Sequence, residues 1–293
     1  MMGPLSQTTI NVMISASEYV LIGLGFGLVY RAGRFFHLAH GSVFTAGAYA
    51  GWLLHVRLGF SAWLAFPTAI VLASALGPLL WFGVYRPIRR MGGDPLALFI
   101  GGLGADLVLQ NAISIVFGDG TLQVRSAAWG RVVDAGGGFI STAQAAMVLL
   151  AVLACGLVVP YLSGTKAGRD IRAVGDSPDL AAAVGINAEA VLARAFLLAS
   201  VIVAAAGLLA ALDTDMRPTM GLQPLLLGIA ASVVGGTGGV WGLVTAALGL
   251  ALVQHGGAWF MPASWAAPVA LVALLFTLCL RPHGLWSARR RVE

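Results

Sequence analysis

Lys166–Arg194, KAGRDIRAVGDSPDLAAAVGINAEAVLAR, is a polar stretch between two apolar runs, 143–162 and 195–212, each long enough to cross a bilayer. Within it, Ser177-Pro178-Asp179 has the marks of a helix start: a hydroxyl N-cap, proline at the first helical position and an acid in the first turn. Gly185 is the natural stop. The helix so bounded has only about two turns, far below the roughly 12–15 residues at which an isolated helix becomes marginal in water. Something must hold it in place. Its Ala181-Ala182-Ala183 face carries no bulk, which lets another protein approach closely. Two readings follow: a docking surface for a soluble partner that drives the rest of the chain, or an ordinary solvated loop.

The composition decides what surrounds that stretch. Of 293 residues, 59% are hydrophobic and 10% charged, and the mean hydropathy is +0.89. A soluble domain carries about 25% charged residues, so the chain is a polytopic membrane protein. Its 39 glycines suit close helix packing in lipid. The basic n-region of a removable signal peptide is missing, the first charged side chain being Glu18. Cys155 and Cys279 lie inside apolar runs without metal-ligand spacing and read as packing residues.

Apolar runs fall at 11–30, 38–56, 62–84, 96–117, 143–162, 195–212, 222–254 and 266–280. The seventh exceeds one crossing and is broken by Gly235-Gly236-Thr237-Gly238-Gly239, so it reads as two short passes or a re-entrant pair. The expectation is an all-α fold of about eight or nine crossings, a single transmembrane domain over 1–293 with a cytoplasmic segment at 163–194. With the N-terminus outside, thirteen basic residues fall inside and four, Arg57, Arg125, Arg131 and Arg217, outside. That asymmetry predicts a cytoplasmic C-terminus. Trp52, Trp63, Trp259 and Trp265 toward the outer boundary, with Trp81 and Trp286 toward the inner one, fit the aromatic belts. The net charge of +5 is thereby a topology signal that also attracts anionic lipid, with nothing in it for a nucleic-acid partner. Residues 11–90 and 222–285 show a weak internal echo, each ending in Arg-Pro and opening its middle helix on small residues, His40-Gly41-Ser42 and Thr237-Gly238-Gly239.

Catalytic constellations are missing: no His-Glu-x-x-His, no Gly-x-Ser-x-Gly, and no phosphate-binding Gly-x-x-x-x-Gly-Lys-Ser/Thr loop. If nucleotide is hydrolysed, another chain does it, and no cofactor is expected on this one. The intramembrane polar residues say more. Asp106 lies mid-span, with Gln110 on the same helix face and Asn111 about 100° further round. A carboxylate at that depth must face protein or water. It is either a path-lining group that meets a solute's amino or amide group, or half of a helix–helix hydrogen bond. Glu18 is nearer the outer boundary, within reach of headgroups or water. His37 and His40 flank the start of the second span, as structural hydrogen-bonding residues or as a proton relay. The pairs Gly23/Gly27, Gly47/Gly51, Gly235/Gly239 and Gly238/Gly242 mark close helix crossings. Asp213, Asp215 and Arg217 form a polar cluster at the outer boundary.

Together, RFFHLAHGSVFTAGAYAGW, VYRPIRR, GGLGADLVLQN, GRDIRAVGDSPDLAAAVGIN, VVGGTGGVWGLVTAALGL and RPHGLW resemble the successive blocks of the LivH-type permease subunit of bacterial branched-chain amino-acid ABC importers. The resemblance runs from about Gly25 to Trp286. Its most specific block holds Gly168, Arg172, Ala173, Asp176, Ala181, Gly185 and Ile186, which the resemblance implies belong to the segment that docks on ATP-binding subunits. It further implies an inner-membrane location, a second permease subunit, two ATP-binding subunits that use the ATP, and a periplasmic solute-binding protein. The candidate substrate path, read from the intramembrane polar residues and the small-residue start of the second span rather than from the resemblance, is Asp106, Gln110, Asn111, His40 and Gly41. Two positions depart from the family's pattern: Asp106 stands where a small or apolar residue is usual, and His37 where asparagine is common. Close relatives of the family handle urea or short amides, so the solute stays open between these and branched-chain amino acids. A stand-alone secondary transporter using Asp106, or an integral-membrane enzyme, is the rival reading.

Overall fold

The computed structural model describes residues 2–124, 129–134, 136–236 and 239–257, with the single positions 259, 268 and 272. All but two positions of the last apolar run, 266–280, the Thr237-Gly238 pair and the basic residues from Arg281 onward therefore lie outside the described residues, as does the end of the second half of the internal echo.

Helix α1 (Met2–Gly33) is the hub. It is apolar on all sides, which marks a helix buried in protein rather than one with a single wet face. Tyr19 to Val29 lie almost wholly inside, packed on α7 (Thr142–Gly164), α10 (Ala188–Asp213), α11 (Leu222–Gly235) and α12 (Val240–Gly257). Between them run α2 (His40–Trp52), extended by a π turn over Leu53–Arg57, and a near-continuous helix, Ala62–Arg90. The latter comprises α3 (Ala62–Ser74), α4 (Leu76–Leu80), a π turn at Trp81–Tyr85 and α5 (Arg86–Arg90). Helix α6 (Pro95–Phe117) starts on an Asp94 cap that accepts from the Ala97 N–H at 2.7 Å. A hairpin, β1 (Val132–Asp134) paired antiparallel with β2 (Phe139–Ser141), leads into α7 through a reciprocal Ser141/Gln144 capping box.

Six of the described helices are long and apolar enough to cross a bilayer: Leu5–Gly33, Ala62–Arg90, Pro95–Phe117, Thr142–Gly164, Ala188–Asp213 and Val240–Gly257. The expected break of the 222–254 run is present. Helix α11 ends at Gly235 and α12 starts at Val240, with Gly235 against the Gly242 backbone. At 14 residues α11 is about 21 Å long, short of the roughly 30 Å hydrocarbon core.

Glycine sets the closest crossings. A Cβ on Gly47 would run into the Ala204 backbone, and one on Gly207 into that of Phe44, so α2 and α10 touch main chain to main chain. Of the predicted pairs, Gly23 packs on the Gly228 carbonyl and Leu243, and Gly51 on Leu208, as a close-crossing role requires.

The two ends of the bundle differ. At one end gather Arg31, Arg34, Arg86, Arg90, Lys166 and Arg172, with Arg34 paired to Asp176 and both Arg86 and Arg90 to Glu189. At the other, Leu122 bridges Met216, Asp213 accepts from Ser141 Oγ and Gln144 Nε2, Asp215 accepts from Gln123, and Trp259 Nε1 donates to Thr8 Oγ1 at 3.2 Å. The predicted Asp213/Asp215 cluster thus pins the hairpin and its flanking loops to α10.

Two elements differ from expectation. Lys166–Asp176 is a helix, α8, where the sequence predicts only a polar stretch. And His40 is not at a boundary. The chain turns at Arg34, in the left-handed region at φ 58°, and residues 35–39 climb back into the bundle as non-helical backbone. Helix α2 starts with the His40 ring packed against Gly25, where Val203 also makes contact. Gly25 lies eight residues, about 12 Å, from the Gly33 end of α1. Irregular backbone at such depth is tolerated because protein surrounds it.

Candidate coupling and translocation site

The buried polar cluster grows out of that climbing segment. His37 is fully enclosed, with Nδ1 2.7 Å from Tyr85 Oη and its ring edge-on to Tyr85 and tilted against Phe196. The His40 ring lies 5.3 Å from it, centroid to centroid. His37 Nε2 and both ring nitrogens of His40 have no hydrogen-bond partner among the described residues. An unpaired buried polar atom costs about 1–3 kcal/mol, so His40 is held against an energetic penalty. Gly41, next along, meets the backbone of Gly221, whose N–H donates to Thr45 Oγ1 at 3.2 Å. Helices α2 and α11 therefore both begin inside the bundle, with their N-terminal turns in contact.

Asp106 is 2% exposed. Its Oδ1 accepts from Ser42 Oγ at 2.5 Å and its Oδ2 from Gln110 Nε2 at 2.6 Å, so it ties α6 to α2. Asn111 turns outward on α6 and donates to the Leu107 carbonyl at 2.7 Å. Of the candidate path residues, the structure brings together Asp106 and Gln110 across from Ser42, places His40 and Gly41 at the start of the same α2, and sets Asn111 apart. Glu18 is half-buried in α1.

The polar stretch at the basic end forms two helices, α8 (Lys166–Asp176) and α9 (Pro178–Ala183). Thr165 caps α8, accepting from the Gly168 N–H at 3.1 Å, and Ser177 caps α9, accepting from Leu180 N–H at 3.3 Å. The stop is as expected: Gly185 sits at φ +82°, its N–H bonds the Ala182 carbonyl and that of Ile186 the Ala181 carbonyl, both at 2.9 Å. Most of the residues singled out here face inward. Gly168 packs on the Tyr161 and Leu162 backbone, Arg172 donates to the Leu162 carbonyl, Asp176 pairs with Arg34, and Ala181 is buried. Ala173 and Ile186 are half-buried and pack against the core. They seat the segment on the bundle rather than form its outer face.

The outer face belongs to residues the sequence reading passed over. Leu180 and Val184, four apart across the alanine triplet, are 72% and 75% exposed at the basic end. Two bulky apolar residues inside a polar island were the signal available for them. Arg34 was also missed, and nothing local marks it. Its Nε donates to the Gly175 carbonyl at 2.8 Å and its Nη2 to Asp176 Oδ1 at 3.2 Å. One arginine thus joins α8 to the residue from which the chain climbs toward His37 and His40.

Among known proteins, the sequence model of a family described as the permease component of branched-chain amino acid transport systems matches residues 8–278. The high-affinity branched-chain amino acid transport system permease protein LivH of Escherichia coli (strain K12) is 27% identical over 95% of this chain and 94% of its own length. LivM, a permease protein described in the same terms from that organism, is 32% identical over 34% of this chain and 22% of its own. Among solved structures, PsaBC from Streptococcus pneumoniae in complex with Fab superposes with a TM-score of 0.51 at 11% identity, covering 92% of this chain and 90% of that one. That likeness is one of fold.

Proposed function

Because the chain belongs to the family of branched-chain amino acid transport permease components, we propose that it is one membrane-spanning subunit of an ABC importer, moving branched-chain or related amino acids with ATP hydrolysed on separate subunits. The basic end faces the cytosol in this reading, following the rule that short cytosolic loops collect Lys and Arg. The observation that carries the proposal is the exposed Leu180/Val184 pair. Two large apolar side chains standing in water, Leu180 on a six-residue helix and Val184 directly after its end, make sense as the knob that enters a groove of an ATP-binding subunit. A second permease subunit completes the pore, a reading supported by this chain's similarity to both LivH and LivM of one organism. A solute-binding protein delivers the amino acid at the opposite end.

Motion then has a defined route. Closure of the ATP-binding subunits displaces α8–α9, Arg34 follows through Gly175 and Asp176, and the 34–39 segment shifts the start of α2 against α11. Broken helices that meet inside a bundle are where transporters change access, and two packings of the same helices supply the two states. Ser42 links the moving α2 to Asp106 on α6, which makes Asp106, Gln110, His40 and Gly41 the candidate groups along the path. The solute is read as a branched-chain amino acid over urea or a short amide on family membership.

The test is a photo-crosslinking side chain at Val184 in the assembled complex. The expected product joins this chain to an ATP-binding subunit, while the same probe at Val132, on the opposite end, gives none. Crosslinks from both positions, or from neither, would overturn the docking role.

A further inference from the structure

We propose that the notch between α8 and the start of α10 binds the phosphate of an anionic lipid headgroup, with an acyl chain lying along α10. The notch is a cavity of about 730 Å³ bordered on one side by Lys166, Arg169 and Asp170 and on the other by Asn187, Ala190 and Arg194, and it shares Val184, Gly185 and Ile186 with the docking segment. Three cations face one carboxylate there. Lys166, Arg169 and Arg194 are exposed, and none of them makes an ion pair among the described residues. The N-termini of two helices, α8 at Lys166 and α10 at Ala188, open beside the same space and add positive potential.

Position selects a lipid over a soluble partner for the basic part of the notch between Lys166 and Arg194, while Val184 on the same cavity belongs to the docking face. Arg194 directly precedes the apolar run 195–212, and Lys166 follows two residues after α7 ends at Gly164. The notch therefore sits where two crossing helices leave the hydrocarbon, at headgroup depth. Above Arg194 on the same face of α10, Leu197 and Val201 (three and seven residues on) are 41% and 39% exposed, although this helix is otherwise mostly buried. Cation below and apolar stripe above is the order of a phospholipid read from its phosphate into its chain. Basic pockets between membrane helices bind anionic headgroups in this way.

The test is native mass spectrometry of the full chain in detergent, with phosphatidylglycerol or phosphatidylcholine added at equal concentration. Phosphatidylglycerol adducts are expected to survive in excess. Replacing Lys166→Gln, Arg169→Gln and Arg194→Gln together should cut them more than tenfold, from about fivefold per cation, while Arg131→Gln at the other end leaves them unchanged. If the triple variant aggregates, Arg194→Gln alone should still lower retention about fivefold. Equal retention of the two lipids, unchanged adducts in the variants, or displacement of the lipid by millimolar inorganic phosphate would each overturn the proposal, the last by making the notch a soluble-anion site.

Discussion

Arg34 Nε donates to the carbonyl of Gly175 across 2.8 Å, joining the turn that ends α1 to the last turn of α8. Gly175 has room for no side chain, since a Cβ would strike the Arg31 carbonyl. At the C-terminal end of α8 the seat is thus a backbone contact braced by the Arg34 guanidinium, with Asp176 as a second acceptor.

Arg34→Ala should separate stability from coupling. The pair is half exposed, 47% and 62% for its two side chains, so its loss should lower folding stability by about 1 kcal/mol or less. Uptake in reconstituted vesicles should nevertheless fall about tenfold, with ATP hydrolysis continuing; such a change corresponds to about 1.4 kcal/mol of coupling. Arg34→Lys, which offers a point charge in place of the fork, should recover only part.

The left-handed Gly185 gives a graded series. Gly185→Ala places a Cβ at φ +82° and should destabilise the turn by about 1 kcal/mol, whereas Gly185→Asn should cost less because asparagine tolerates that region. Proteolysis rates between Ser177 and Asn187 report the order: Gly slowest, Asn next, Ala fastest.

Asp106 is held by two donors, Ser42 from α2 and Gln110 from its own helix. Asp106→Asn keeps an acceptor for Ser42 and should change thermal stability little. Asp106→Leu leaves Gln110 without its acceptor and Ser42 with only the residue 106 carbonyl, at 3.2 Å, and should cost about 1–3 kcal/mol. Thermal melts of the two variants in detergent check the difference, and uptake by the Asn variant reports whether the negative charge itself meets the solute.

Main-chain contact at the α2–α10 crossing predicts a steep size dependence. Gly207→Ala should destabilise by about 1–3 kcal/mol through overpacking against Phe44, and Gly207→Val by more. Gly156→Ala on α7, where a Cβ meets nothing, should be neutral or slightly stabilising.

Local signals carried far in this chain. The Ser177 cap, the Gly185 stop and the break of the 222–254 run at Gly235 are written in the residues that form them, because turn geometry admits few side chains there. Helix α8 was hidden for the opposite reason. Gly168 and Gly175 weaken its intrinsic helix preference, and it is held by burying Ile171 and Val174 and by the Arg172 bond to Leu162. The depth of His40 was equally invisible. An apolar run from 38 to 56 reads as one span, and only the gap at Gly25 and the Tyr85 hydroxyl place its start inside the bundle. For the docking face, an alanine triplet on a short helix does not say which alanine turns inward. Ala181 does, and Leu180 and Val184 stand out instead.

The most direct measurement replaces Leu180→Asp and Val184→Asp together in the reconstituted complex and follows solute uptake beside ATP hydrolysis. Both side chains are exposed, so the chain should fold and insert as before. Burying a Leu or Val side chain is worth about 1.5–3 kcal/mol, so docking should weaken by more than tenfold and uptake should collapse with it. Uptake at the level of the unaltered chain would contradict the account.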